Sequence, residues 1–306
     1  MKITRREILK LGAAAGAVMT LGTQKLFAQA QSLILKKIPS SGEGIPPIGI
    51  GTNRYGVGTG ATERDPLRAT LKKFAELGGK LIDTAPVYGS SEAVLGDLIA
   101  ELGIRDQLFL ATKTDMRGMV TGSASFQASL ERLKTDKVEV MQVHNLVNAA
   151  SELAAMREWQ QDGRIKYIGI TTSQARQFED TEKLMSSEKM DFVQLNYSLD
   201  DREAEKRLLP LALDKGIAVI VNLPFGRGSL FAKAGDKPLP DWAAEFDCAS
   251  WGQFFLKYIV SHPAITCAIP GTRAEHHAID NFGAAQGRLP DADLRKRQEE
   301  YFANLA

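Results

Sequence analysis

From Leu33 onward the chain alternates between two patterns of apolar and polar positions. Short runs rich in β-branched and apolar residues mark strands, and the stretches between them space their apolar residues by three and four, as helices do. Eight runs qualify as strands: 48–52, 80–84, 108–113, 138–143, 167–172, 192–196, 217–222 and 264–269. Segments 151–161, 174–186 and 202–215 read as amphipathic helices between the later ones. Strand and helix alternating eight times require parallel strands joined by right-handed crossovers. Ahead of them, residues 33–37, a Ser-Ser-Gly-Glu-Gly turn and residues 45–48 predict a hairpin placed to plug the bottom of a barrel. No linker of Pro, Gly or Ser long enough to divide two domains follows residue 45. The fold class is therefore α/β, a single (β/α)8 TIM barrel over 31–306 with an N-terminal β-hairpin, and its chemistry belongs at the C-terminal strand ends.

Residues 1–30 break the pattern. A basic start containing Arg5 and Arg6 precedes a mild apolar run, 11–22, too short for a hydrocarbon core that needs about 20 residues. The small-x-small triplet Ala28-Gln29-Ala30 completes the three parts of an export signal cut after Ala30. The Arg5-Arg6 pair resembles the twin-arginine class, which implies passage through the twin-arginine translocase and a periplasmic protein. Such systems carry proteins already folded, often with a cofactor on board.

Composition narrows the function classes. At 306 residues, 44% hydrophobic and 25% charged, the chain is an ordinary globular protein, which excludes disorder, collagen and coiled coil. Removing residues 1–30 leaves 33 basic against 36 acidic groups, so the mature surface has no electrostatic reason to hold nucleic acid or anionic lipid. Cys248 and Cys267 make neither a disulfide scaffold nor a zinc site, and they read as core thiols.

Titratable side chains at the strand ends are Asp83, Tyr88 in the loop that follows it, Lys113 and His144. Each alone has a mundane reading as cap, rim, surface charge or core histidine. Together they weigh more, because Lys113 and His144 both follow strongly apolar runs and so emerge from the core side by side.

The segment Leu81-Ile82-Asp83-Thr84-Ala85-Pro86-Val87-Tyr88-Gly89, with Ser91-Glu92 and Leu95-Gly96 after it, resembles the aldo-keto reductase signature. Ala111-Thr112-Lys113, Gln142-Val143-His144, and Ile269-Pro270-Gly271-Thr272-Arg273 leading to Asp280-Asn281 agree in order and spacing. The resemblance implies a catalytic tetrad of Asp83, Tyr88, Lys113 and His144, an NADPH (NADP+) cofactor with NADH as the alternative, and a small-molecule carbonyl substrate. Hydride transfer to a carbonyl carbon needs a proton donor and an oxyanion stabiliser at the oxygen. Tyr88 is the expected donor. Lys113 is expected to lower its pKa, Asp83 to hold the ammonium, and His144 to orient the carbonyl or share the proton.

The resemblance also implies cofactor contacts at Gly51, Thr52, Thr171, Thr172 and Gln194. The family's usual Ser-Asn pair is Thr171-Thr172 here, and its stacking aromatic is Asn222, so either weaker stacking or a substitute ring such as Tyr197 or Phe225 is expected. Leu223 and Pro224 are further expected cofactor contacts, and Gly226 and Arg227 belong to the loop 225–230 that would clasp the pyrophosphate. Gly271, Thr272, Arg273, His277 and Asn281 would hold the adenosine phosphate, with Gly271 and His277 replacing a family Lys and Arg. Substrate choice falls to loops 53–64, 115–125 and 226–247, whose Tyr55, Met116, Met119, Phe225, Phe231 and Trp242 predict a partly apolar pocket. Two other classes compete: a nucleotide-holding regulatory protein on the same barrel, and an unrelated isomerase or hydrolase barrel, which predicts paired carboxylates or a metal cluster.

Overall fold

The computed structural model describes residues 32–115 and 122–305. The export-signal reading of 1–30, and Met116 and Met119, lie outside the described residues. Eight parallel strands follow in sequence order around one sheet: β3 (Ile50–Gly51), β4 (Leu81–Asp83), β5 (Phe109–Lys113), β6 (Val138–His144), β7 (Ile165–Thr171), β8 (Phe192–Asn196), β9 (Ala218–Asn222) and β10 (Ile265–Ala268). Parallel bridges Ile48↔Ala268 and Gly51↔Gly271 join the last strand to the first and close the barrel. The amide of Gly49 donates to the Ala268 carbonyl at 2.8 Å, and that of Gly51 to the Pro270 carbonyl at 3.1 Å.

Side chains alternate with the two-residue period of a strand, so each strand serves two cores. Leu81, Phe109, Ala111, Val140, Tyr167, Phe192, Ala218, Ile220 and Cys267 fill the barrel interior, while Ile82, Leu110, Met141, Ile168, Val193 and Val219 face the helices. The floor is aromatic, with Phe109 stacked on Tyr167 at 5.8 Å and Phe192 edge-on to Tyr167 at 5.4 Å.

The predicted plug is present. Strands β1 (Lys36–Lys37) and β2 (Gly44–Ile45) pair antiparallel, and Ile38 and Ile45 are fully buried against that floor. Its turn also supplies the polar partners a buried phenol needs, because the Tyr167 hydroxyl lies 2.7 Å from both Ser41 Oγ and a Glu43 carboxylate oxygen.

Two of the expected helices are broken. In 174–186 a 3-10 turn, Ala175–Gln177, precedes the α-helix Phe178–Ser187. In 202–215 the helix begins only at Leu208, after a 3-10 turn at Glu203–Lys206 and a non-helical Arg207. The physical reason in the second case is Pro210, which has no N–H to give and falls in the first turn of the helix that starts at Leu208, where none is needed. Both cysteines are free; Cys267 is buried and Cys248 partly so.

Candidate active site

The same alternation that fills the barrel with apolar side chains delivers polar ones at its upper rim. Continuing the inward face of each strand reaches Asp83, Lys113, Gln142 with His144, Thr171, Gln194 with Asn196, and Asn222. Register sets Lys113 beside Gln142, His144 beside Thr171, Thr171 beside Gln194, and Asn196 beside Asn222. One polar ring results, standing on an apolar cylinder.

Lys113 is 2% exposed and Asp83 3%. Two charges so far from water persist only when paired and hydrogen-bonded. The ammonium meets this condition with bonds of 2.8 and 2.7 Å to the two Asp83 oxygens and a third, 2.8 Å, to the Thr84 carbonyl. Gln142 Nε2 donates to Asp83 Oδ1 at 3.2 Å. From below, both the amide and the hydroxyl of Thr52 donate to the Asp83 carbonyl. Burial works against the Lys113 charge, but the Asp83 carboxylate and Tyr88 outweigh it and hold its pKa above the ordinary value.

Tyr88 reaches the rim from the loop after β4, its ring centroid 5.2 Å from Lys113 Nζ. The ring stands edge-on to that of His144, 6.1 Å away. Gly56 lets the loop after β3 lie on this segment, since a Cβ there would stand 2.8 Å from the Tyr88 carbonyl oxygen. One expectation is corrected here: Lys113 does pull the phenol's pKa down, but burial of the ring raises it by more, and the net direction is up. Tyr88 is therefore fully protonated at neutral pH, and so a standing proton donor. Burial, then the Lys113 charge, depress His144 to about 3, so its imidazole is neutral. Its Nδ1 is buried without a partner among the described residues.

On the expected cofactor side, Thr172 is wholly buried and its hydroxyl donates at 2.6 Å to Gln177 Oε1. Gln177 Nε2 in turn bonds the Asn145 carbonyl, next to His144, at 2.9 Å. Asn222 Nδ2 donates to the Thr172 carbonyl at 3.0 Å. Of the two expected substitute rings, one is fully buried and the other half-buried. Tyr197 is sealed in the helix layer against Tyr258 and Arg295, and Phe225 packs on Phe231 and Phe255. The apolar-pocket residues are likewise absorbed: Tyr55 is fully buried with its hydroxyl on the Thr272 carbonyl, and Trp242 lies on Phe246 and Phe254.

After β10 the turn at Gly271 is bare backbone, where a Cβ would meet only Asn53 Oδ1, at 4.0 Å. Thr272 points inward, donating to the Pro270 carbonyl and accepting from Asn281 Nδ2, so its hydroxyl and Asn281 brace the turn. Arg273 and His277 are exposed on its outer side. In the loop after β9, Leu223 (φ 51°), Gly226 (φ 54°) and the exposed Arg227 (φ 57°) adopt left-handed conformations, and Pro224 is buried. Ser229 ties this loop to Asp200 at 2.9 Å.

Sequence reading gave no role to Gln142, Gln177, Asn196 or Asp200. The strand period holds the signal for two of them, since Gln142 and Asn196 share the inward faces of His144 and Gln194. Gln177 and Asp200 act across loops, and no period reports on that.

The aldo/keto reductase family model matches residues 47–300, and the chain belongs to that family of oxidoreductases. The aldo-keto reductase YhdN of Bacillus subtilis is 32% identical over 214 residues, 62% of this chain and 63% of its own length. Methylglyoxal reductase YeaE of Escherichia coli is 28% identical over 275 residues, 87% of this chain and 95% of its own. An aldo-keto reductase from Bacillus halodurans in its holo form shares the fold at TM-score 0.70 and 22% identity, covering 90% of this chain and 98% of that one.

The neutral His144 has a consequence for stability. Its folded pKa lies below the ordinary value of about 6.5, so the unfolded chain binds the proton first as pH falls. The stabilisation is complete above about pH 6.5 and is lost progressively below it, at up to about 1.4 kcal/mol per pH unit. Urea melts of wild type and His144→Asn between pH 6.5 and 4.5 should show a shallower pH dependence in the variant. Parallel curves would mean that His144 takes up its proton equally in both states.

Proposed function

We propose that this protein is an exported NADPH-dependent reductase that converts small aldehydes or ketones to alcohols, with Tyr88 as proton donor. The observation that carries the reading is the buried ammonium of Lys113, locked by Asp83 and set beneath the ring of a protonated Tyr88, with neutral His144 edge-on to it. A bound dihydronicotinamide supplies the hydride. The residues of this chain supply the rest. A carbonyl oxygen placed between Tyr88 and His144 meets a phenol O–H and an uncharged imidazole in a site shielded from water, where fixed dipoles act strongly on developing negative charge. As that charge grows, the phenol proton moves to the oxygen, and Lys113 stabilises the tyrosinate left behind. Asp83 keeps the ammonium in place throughout.

The polar rim fits the dinucleotide: Gln194 Oε1 and Asn222 Oδ1 are buried acceptors with no partner among the described residues. The open Gly271 turn and the exposed Arg273 suit a phosphate on the adenosine side. Relatives named methylglyoxal and glyoxal reductases favour short dicarbonyl compounds as substrates. A relative named an NADH-specific methylglyoxal reductase keeps NADH as the alternative donor. Residues 1–30, with Arg5-Arg6 and Ala28-Gln29-Ala30, are the address in this reading, and 31–306 the mature periplasmic enzyme. Folded export lets the barrel close on its nucleotide in the cytoplasm, where NADPH is made.

Three outcomes check this. Tyr88→Phe should keep the fold and dinucleotide affinity while lowering methylglyoxal reduction about 10²–10⁴-fold; turnover near wild type would remove Tyr88 from the chemistry and favour the nucleotide-holding alternative. Arg273→Ala should weaken NADPH about ten- to a hundredfold, the loss of one charge-assisted hydrogen bond, and leave NADH nearly unchanged. Equal loss for both would show that Arg273 does not read the 2′-phosphate. Replacing Arg5-Arg6 by Lys-Lys should hold precursor in the cytoplasm, as fractionation would reveal, and unchanged export would sink the address.

A further inference from the structure

At the rim of the barrel, Gln194, Asn196 and Asn222 stand together on β8 and β9, and each has a side-chain carbonyl oxygen that is buried without a hydrogen-bond partner among the described residues. Gln194 and Asn196 are only 1% and 5% exposed. For two of the three the amide orientation is not a matter of choice. Asn222 donates to the Thr172 carbonyl and Asn196 to the Asp201 carboxylate, and only an –NH2 group can do either. Their oxygens are therefore fixed acceptors. A buried acceptor left unmade costs stability, and three side by side on β8 and β9, with Gln142 Oε1 at the same rim, suit a ligand that brings N–H groups.

We propose that Asn222 is a specificity residue whose Oδ1 accepts a hydrogen bond from the carboxamide –NH2 of the nicotinamide, within an acceptor patch completed by Gln194 and Asn196. The proposal rests on the dinucleotide reading above. It explains how this chain manages with Thr172, whose hydroxyl is spent on Gln177 and has no proton left for a ligand acceptor. A carboxamide offers two N–H donors. A carboxylate in its place offers none and adds negative charge beside the acceptor oxygens, so the patch selects amide over acid.

The probe is the nicotinic acid analogue of NADP+, identical except for a carboxylate in place of the carboxamide. Binding to full-length mature protein is followed by quenching of tryptophan fluorescence or by calorimetry. Wild type should bind NADP+ at least tenfold more tightly than the acid analogue. Asn222→Leu, similar in volume but without the acceptor, should weaken NADP+ about three- to tenfold, the worth of one neutral hydrogen bond, and bind the analogue as well as or better than wild type. Adenosine 2′,5′-bisphosphate, which lacks the nicotinamide half, should bind both proteins equally and so reports that the variant is folded. Equal affinity of wild type for amide and acid overturns the proposal with no variant needed. Undiminished discrimination in Asn222→Leu overturns it too. Failure of wild type to bind either dinucleotide would overturn the reductase reading itself, a result distinct from binding without discrimination.

Discussion

The pairing of Lys113 with Asp83 is the constraint on which the upper half of this barrel depends. Each group sits at the inward position of its strand because the two-residue period leaves it nowhere else to go. Alone, either charge would be expelled or neutralised by the apolar cylinder beneath it. Paired, they form a rigid dipole that Thr52, Thr84 and Gln142 hold from three sides. Such a pair is weak evidence for stability, since desolvation offsets most of its attraction. Its use is positional: it places a permanent cation under Tyr88 and adds to the burial that keeps His144 uncharged.

The opposing effects on Tyr88 show how site chemistry follows from packing. Lys113 favours the phenolate and burial disfavours it, and burial wins. The donor thus carries its proton whenever substrate arrives, while the cation that failed to remove the proton stands ready for the charge that appears once it leaves. A solvent-exposed tyrosine would feel neither influence strongly.

Much of this was legible in the amino-acid sequence because it rests on local periodicity. The run Val138 to His144 predicts its strand, its inward face and the exit point of the histidine together. Asp83 and Lys113 follow by the same count. Ser91 and Glu92, part of the signature segment, prove to be structural: Ser91 bonds the Thr52 carbonyl, and Glu92 accepts from Thr112 and Arg132. What stayed illegible depends on contacts between loops. No spacing shows that Thr172 spends its hydroxyl on Gln177, or that Thr272 turns inward to Pro270. The loop aromatics are hard to read for a related reason, since composition does not report that Phe225 and Trp242 come to rest half-buried against other rings while Phe231 stays exposed.

The hairpin under the barrel closes more than a hydrophobic gap. Ile38 and Ile45 sit on the aromatic floor, and the filled interior above them leaves the polar ends of the strands as the face where ligands can gather. Dinucleotide and carbonyl compound then meet on one rim, so the arrival of each shapes the space left for the other.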